Sequence, residues 1–175
     1  MVKPMQGESS RTINIWLVDD DRRLREALKD VLDKFAGIRC TAGFHSPNAV
    51  LSALASKAGP DVILLDIQMG GANGLDAIRP IKALARSTQV LMLTTCFDSE
   101  LKKRALINGA SGFLLKRYPI ERILDSIYQA LKYPAPHLKR PRQQNRTAER
   151  MNKTHPQKRT QWLKNCLEKI PFRLN

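Results

Sequence analysis

The sequence lacks any long hydrophobic run. None of its apolar stretches approaches the roughly 18 residues that a membrane-spanning helix requires. The amino-terminal segment, MVKPMQGESSRT, also lacks the apolar core of a secretory signal peptide. From these two absences we expect a cytoplasmic protein that has no membrane partner.

Cysteines and aromatic residues are few, and nucleotide-binding loops are missing. The three cysteines lie far apart and form no CxxC pair, which disfavours a disulfide framework and a zinc site. Neither GxxxxGK[ST] nor GxGxxG occurs, which argues against a nucleotide-binding protein.

Apolar residues make up 42% of the chain and aromatic residues 6%, as expected for an aliphatic α/β core with a polar remainder. A length of 175 residues accommodates one ordinary domain and an appendage.

Positive charge is concentrated in the last quarter of the chain. Residues 1–133 hold 19 Lys/Arg and 14 Asp/Glu, whereas residues 134–175 hold 11 and 2, so the second part carries +9 of the total +14. Residues 134–156 are predicted to be a basic, proline-containing linker, and residues 157–172 have the spacing of a short amphipathic basic helix. Three interpretations stay open: the segment binds nucleic acid, docks on the rest of the chain, or is the remnant of a lost domain.

Between a leader of residues 1–12 and this tail, five apolar segments alternate with five segments of helical spacing. The predicted strands are 13–18, 38–44, 62–66, 89–94 and 112–115. Strict alternation of this kind predicts a parallel sheet joined by right-handed crossovers, with helices on both of its faces. Because the second strand alternates apolar and polar residues, it is expected at an edge of the sheet, and the uniformly apolar third strand at the centre.

Four of the predicted strands end in residues that carry chemistry. They end on Asp19-Asp20, Asp66, Thr94 and Lys116. Because the carboxyl ends of parallel strands meet at one edge, where ligands bind in open α/β sheets, these side chains are expected to converge. Adjacent carboxylates repel one another unless a cation compensates, so the acids suggest a metal site with oxygen ligands.

Each of these residues also has a purely structural interpretation. Asp21 precedes the first predicted helix and is expected to cap it. Asp66 could simply open a turn, because aspartate is common in turns at strand ends. Thr94 suits a strand because it is β-branched, and strand-end lysines such as Lys116 often serve only solubility. Capping, however, explains Asp21 alone and leaves Asp19 and Asp20 available for a metal.

The sequence resembles the receiver domain of bacterial two-component response regulators. The resemblance rests on WLVDDDRRLREAL, PDVILLDIQMGGANGLDAI, VLMLTT and ALINGASGFLLK, which span residues 13–133 in the order and spacing of the family. LMLTT and NGASGFLLK are most similar to the NarL/LuxR-like subfamily. The resemblance implies a flavodoxin-like sheet of five parallel strands in the order 2-1-3-4-5, followed here by the basic extension.

For the acidic residues, the resemblance implies a magnesium site. Asp20 would bind Mg²⁺ directly and Asp19 through water, while Asp66 and the backbone carbonyl of Gln68 would complete the ligands from the protein. Such hard oxygen ligands suit magnesium.

For the other strand ends, the resemblance implies phosphoryl chemistry. Asp66 would accept a phosphoryl group from a sensor histidine kinase, and Thr94 and Lys116 would bond its oxygens. Thr94 and the aromatic residue Phe113 would then act as the switch. The protein would transfer phosphoryl groups only to itself and release them again, without acting as an enzyme on other substrates. Family likeness also implies a homodimer through the fourth helix, fifth strand and fifth helix.

Two departures from the family limit these expectations. A proline usually stands where this chain has Gly70, so the loop after Asp66 is expected to be looser. No recognisable helix-turn-helix output domain follows the receiver, so the link to transcription rests on subfamily likeness and tail charge. The alternatives are a receiver that binds only proteins and a standalone aspartyl-phosphate phosphatase, although Asp66-Ile67-Gln68 lacks the second acid of such hydrolases.

Overall fold

A computed structural model describes residues 11–95 and 97–133. The predicted leader lies almost wholly outside this part of the chain, and the predicted linker and basic helix lie entirely outside it. The elements, in chain order, are β1 Ile13–Val18, α1 Arg22–Leu32, β2 Ile38–Phe44, α2 Pro47–Ser56, β3 Val62–Asp66, β4 Gln68–Met69, β5 Ala72–Asn73, α3 Gly74–Leu84, β6 Gln89–Thr94, α4 Ser99–Ile107, β7 Gly112–Leu115 and α5 Ile120–Leu131.

Five of the strands form one parallel sheet in the order β2-β1-β3-β6-β7. Since β4 and β5 belong to a separate hairpin, this is the predicted order 2-1-3-4-5, and the doubly wound, flavodoxin-like fold is confirmed. The edge strand β2 alternates buried and exposed residues, whereas every residue of β3 is buried. The central strand therefore provides a rigid, water-excluded support for the residue at its end.

Two hydrophobic cores lie on opposite faces of the sheet, because successive strand residues point to opposite sides. In β3, Val62 and Leu64 pack into the core beneath α1 and α5, while Ile63 and Leu65 pack into the core beneath α2, α3 and α4. All four side chains are at most 2% exposed. Burial of such aliphatic side chains stabilises the fold by about 1.5–3 kcal/mol each.

Side-chain caps determine where several of the helices begin. Asp21 accepts hydrogen bonds from the backbone N–H groups of Arg23 and Leu24, and Ser46 accepts one from Ala49. Caps of this kind are worth about 1 kcal/mol each. The capping of α1 by Asp21 confirms the prediction. Within the described residues, no helix is long and apolar enough to cross a membrane.

The loop after Asp66 contains the small antiparallel hairpin of β4 and β5. Gln68 pairs with Asn73 and Met69 with Ala72, which leaves Gly70 and Gly71 as the two turn residues. Their φ angles are +49° and +93°. Proline, whose ring holds φ near about −65°, cannot adopt the first of these conformations. Glycine at position 70 therefore permits this turn, and the greater looseness of the loop stays a prediction.

Candidate functional site

Strand register brings the predicted residues to one edge of the sheet. Asp66 is the last residue of β3 and pairs with Leu93 of β6. The next residue of β6, Thr94, pairs with Leu115 of β7, and the backbone N–H of Lys116 donates to the Thr94 carbonyl at 2.7 Å. The convergence expected from the strand ends is thus present in the fold.

Three carboxylates form a cluster at this edge. Asp19, Asp20 and Asp66 each offer an oxygen, and these oxygens lie within 4.8 Å of one another. Asp19 and Asp66 are both 4% exposed, whereas Asp20 faces solvent. Burying neighbouring charges of one sign is unfavourable unless cations balance them.

Lys116 supplies part of the positive charge that balances the three carboxylates. Its ammonium nitrogen lies 2.7 Å from Asp19 Oδ2 and 2.9 Å from Asp66 Oδ2. Burial lowers the pKa of Lys116, but the pairing with the two carboxylates outweighs burial and raises it overall, so the side chain stays charged. Three carboxylates and one ammonium leave a formal charge of −2 at the cluster.

The chemistry of the donors fits a hard divalent cation. All three side chains offer oxygen, and the residual charge equals that of one such ion. Asp19 Oδ2 is buried and lacks a partner in hydrogen-bond geometry among the described residues, although it forms the ion pair with Lys116. Burial raises the pKa of Asp19 above its ordinary value despite the opposing effects of Lys116 and the Asp21 N–H. A cation bound there would act in the opposite direction and favour the ionised carboxylate.

Asp66 is oriented by its own backbone surroundings. Its Oδ1 accepts a hydrogen bond of 2.8 Å from the N–H of Ile67, and its Oδ2 faces Lys116. The start of α3 packs directly behind it: a Cβ placed on Gly74 would lie 1.9 Å from the carbonyl oxygen of Asp66. Only glycine allows this approach, a requirement that the sequence analysis did not identify.

The remaining predicted residues lie on three further strands, β4, β6 and β7. Thr94 is buried at the end of β6, Gln68 is exposed in β4, and Phe113 is half-buried in β7. The ring of Phe97, in the loop before α4, meets the ring of Phe113 edge-on at a centroid distance of 6.4 Å. Nothing in the sequence pattern pointed to Phe97, because the contact depends on how the loop folds over β7.

Comparison with known proteins identifies the family. The pattern of the response regulator receiver domain matches residues 15–128, well over half of the chain. This chain belongs to the response regulator receiver family. It is 36% identical over 119 residues to the DNA-binding transcriptional regulator NtrC of Salmonella typhimurium, a match that covers 68% of this chain and 25% of NtrC.

Solved receiver structures agree with the fold of this receiver. The response regulator domain of CheB from Thermotoga maritima is 28% identical, with a TM-score of 0.63, and covers 71% of this chain and 99% of that domain. The signal receiver domain of NarL from Mycobacterium tuberculosis has a TM-score of 0.64, covers 70% and 98% of the two chains, and at 24% identity shows the fold alone. The receiver family is therefore established, whereas the NarL/LuxR-like subfamily stays a prediction.

Proposed function

We propose that this receiver is a phosphorylation-activated response regulator that accepts a phosphoryl group on Asp66 from a sensor histidine kinase. The observation that carries the proposal is the position of Asp66: buried at the end of the central strand, 2.9 Å from a charged lysine and beside two further carboxylates. A nucleophile, a cation and a set of metal ligands thus occupy one rigid edge.

Transfer requires a balanced displacement at phosphorus. An Asp66 carboxylate oxygen forms the new P–O bond while the P–N bond of the phosphohistidine breaks, and the imidazole leaves with that electron pair. Lys116 exchanges its pairing with Asp66 for pairing with a phosphoryl oxygen, and the Thr94 hydroxyl donates to another. Asp20, Asp66 and the Gln68 carbonyl, with Asp19 acting through water, would hold Mg²⁺, which when bound would supply neutralising charge for the phosphoryl group.

The phosphorylated state differs from the free state in charge and in contacts. Drawing Thr94 towards a phosphoryl oxygen shifts the loop that carries Phe97, and this shift changes the surroundings of Phe113. The product of the reaction is an altered binding surface, not a released metabolite. Hydrolysis of the acyl phosphate by water returns the switch to its starting state, so we do not class the protein as an enzyme acting on other substrates.

Its wider role is proposed by analogy with its relatives. Likeness to transcriptional regulators favours a cytoplasmic role in transcription control, and NarL/LuxR-like motifs point the same way. Because the match spans a quarter of NtrC, none of the rest of that protein carries over. The basic residues 134–175 are the proposed contact with nucleic acid, and the surface of α4, β7 and α5 is the proposed homodimer interface.

The proposal is tested by labelling with acetyl phosphate and Mg²⁺, followed by intact mass measurement. We expect one added phosphoryl group in the wild type and none in Asp66→Asn. Asp76→Asn, which changes an exposed carboxylate of α3, serves as the control and should label normally. Absence of labelling in a folded wild-type protein with Mg²⁺ present would remove the phosphoacceptor assignment.

A receiver that binds only proteins is the second candidate, because the matched region is a receiver domain alone. Binding to duplex DNA at several salt concentrations separates the two. If residues 134–175 bind nucleic acid, affinity should fall steeply as salt rises and should be lost when these residues are removed. No binding by either protein would favour the protein-binding receiver, whereas equal binding by both would place the nucleic-acid contact outside residues 134–175.

A further inference from the structure

Arg25, in the first turn of α1, reaches back to the loop that carries the acids. Its Nη1 donates a hydrogen bond of 2.5 Å to the backbone carbonyl of Asp19, and its own N–H donates to the Asp21 carbonyl at 3.1 Å. Helical side chains commonly point towards the amino terminus of their helix, which makes this return contact accessible. The contact closes the β1–α1 turn over residues 19–21.

The end of β2 leaves room for this side chain. Gly43 pairs with Leu17, and a Cβ placed on Gly43 would lie 3.6 Å from Arg25 Nε and 3.7 Å from its Cδ. The Arg25 stem therefore runs beside the strand, between α1 and the sheet edge. This packing restricts the guanidinium to the direction in which it meets the Asp19 carbonyl.

Two neighbouring basic residues of α1 have partners elsewhere. Arg22 pairs with Glu26, and Lys29 pairs with Asp33 while also donating to the Cys40 carbonyl. Among the described hydrogen bonds of these three cations, only that of Arg25 reaches the acidic loop. The chain thus provides its own comparison between a basic residue that contacts the loop and one that does not.

Asp19 is fixed through several of its atoms. Its N–H donates to the Phe44 carbonyl at 3.0 Å, its Oδ1 accepts from the Asp21 N–H at 3.0 Å, and its Oδ2 pairs with Lys116. Arg25 binds a fourth atom of this residue, the Asp19 carbonyl oxygen. That carbonyl belongs to the peptide unit joining Asp19 to Asp20, so holding it fixes the backbone from which the exposed Asp20 carboxylate projects.

We infer that Arg25 is a positioning residue for the cation site: it holds the Asp19–Asp20 peptide so that the Asp20 carboxylate stays within the cluster. It binds a backbone carbonyl and acts through geometry, not through its charge. The effect on Mg²⁺ binding rests on the proposed function, but the effect on the loop does not, because it exists without metal.

The direction in which Mg²⁺ affinity changes shows whether Arg25 acts by positioning the loop or by its charge. A guanidinium near a cation site repels the cation, so removing it should tighten Mg²⁺ binding if only charge matters. Loss of a positioning contact should weaken it instead. Removal of groups that orient metal ligands commonly weakens binding about 10-fold to 100-fold.

The test uses the full chain and the variants Arg25→Met, Arg25→Lys and Arg22→Met. Amide hydrogen exchange at Asp21, measured without metal, reports the loop, and calorimetric titration with MgCl₂ reports the site. In Arg25→Met, which keeps the stem beside Gly43, we expect faster exchange and a Kd for Mg²⁺ raised about 10-fold. Arg25→Lys keeps a hydrogen-bond donor, so its exchange rate and its Kd should lie between those of Arg25→Met and the wild type. Arg22→Met should have the exchange rate and the Kd of the wild type.

Each outcome has a defined meaning. Unchanged exchange and unchanged or tighter Mg²⁺ binding in Arg25→Met would overturn the inference. If the wild type binds no Mg²⁺, the proposed metal function fails, yet faster exchange at Asp21 would still support the positioning role. If Arg25→Met does not fold, the same two measurements on Arg25→Lys decide the question.

Discussion

The two ends of the parallel sheet differ in how far the fold pairs their polar groups. At the amino end, Asp61 is fully engaged by the fold: Oδ1 pairs with Arg11 at 2.7 Å, and Oδ2 accepts the Asn14 N–H at 2.8 Å. Its backbone N–H and carbonyl bond to Asn14 and Gln89. Nearby, the Thr88 hydroxyl donates to the Pro60 carbonyl at 2.7 Å. Each of these groups has a structural partner and needs nothing further.

At the carboxyl end, the fold gathers more charge than it neutralises. Three carboxylates share Lys116, and a buried oxygen of Asp19 is left without a hydrogen bond of good geometry among the described residues. An arrangement of this kind lowers stability unless a ligand completes it. The difference teaches that an acid at a strand end signals function only when the surrounding fold leaves its charge unbalanced.

The largest expected effect comes from Gly74→Ala, at the carboxyl end. The added Cβ would overlap the Asp66 carbonyl, which is backbone and cannot rotate away. We expect a loss of about 3 kcal/mol or more in the free energy of unfolding, measured with urea. Gly43→Ala is the control, since its Cβ would meet the flexible Arg25 side chain and the Leu17 carbonyl oxygen at ordinary contact distances of 3.6–4.0 Å. Equal stability of the two variants would show that the close packing behind Asp66 has no such cost.

Added Mg²⁺ should stabilise the carboxyl end by completing its charge balance. At a concentration about 100 times the Kd, the gain in the free energy of unfolding should be about 2.7 kcal/mol. Asp20→Asn should lose most of this gain because it removes a ligand, whereas Asp30→Asn, on the exposed face of α1, should keep it. Thermal unfolding with and without MgCl₂ measures the difference. An equal gain in both variants would place the ion elsewhere.

At the amino end, Asp61→Ala should affect stability without affecting chemistry. It breaks the ion pair with Arg11 and leaves the Asn14 N–H without its carboxylate acceptor. We expect a loss of about 1–3 kcal/mol in unfolding experiments but normal labelling by acetyl phosphate. If a folded Asp61→Ala protein failed to label, the two ends would not be functionally separate.

The smallest expected effect on stability concerns Asp33, whose carboxylate again has partners within the fold. Partial burial pushes its pKa up, but Lys29 and the Cys40 N–H outweigh burial and hold the pKa below its usual value. Its stabilising contribution should therefore be present above the unfolded pKa of about 3.9 and be lost as pH falls through the lower folded pKa. Asp33→Asn should consequently be less stable than the wild type at pH 7, by a difference that shrinks in acid denaturation series. A difference independent of pH would contradict this assignment.

Sequence reasoning reached the parallel sheet and the convergence of strand-end residues because both follow from chain periodicity and strand direction, whereas the strand order came from the family resemblance. The end of α1 at Leu32 depends instead on a contact between two elements. There, Asp33 forms the carboxyl cap and its side chain accepts the Cys40 N–H of β2 at 2.7 Å. That contact joins residues on two different elements, so local spacing does not reveal it.

The missed features of the site have the same origin. Gly74 matters because α3 begins against the Asp66 carbonyl, and Arg25 matters because it meets the Asp19 carbonyl. Phe97 matters because its loop lies over Phe113. Each role is set by a backbone atom or ring that another element brings near, whereas the predicted acids carry their chemistry in their own side chains.

The most direct test of the unbalanced carboxyl end is a crystal structure with Mg²⁺ and beryllofluoride, a mimic of the phosphoryl group. We expect beryllium bonded to an Asp66 carboxylate oxygen, the cation bound by Asp20 and Asp66, and the Lys116 ammonium moved from Asp66 to a fluorine. Beryllofluoride absent from Asp66, or a cation bound away from these carboxylates, would contradict the assignment of this edge as the phosphorylation site.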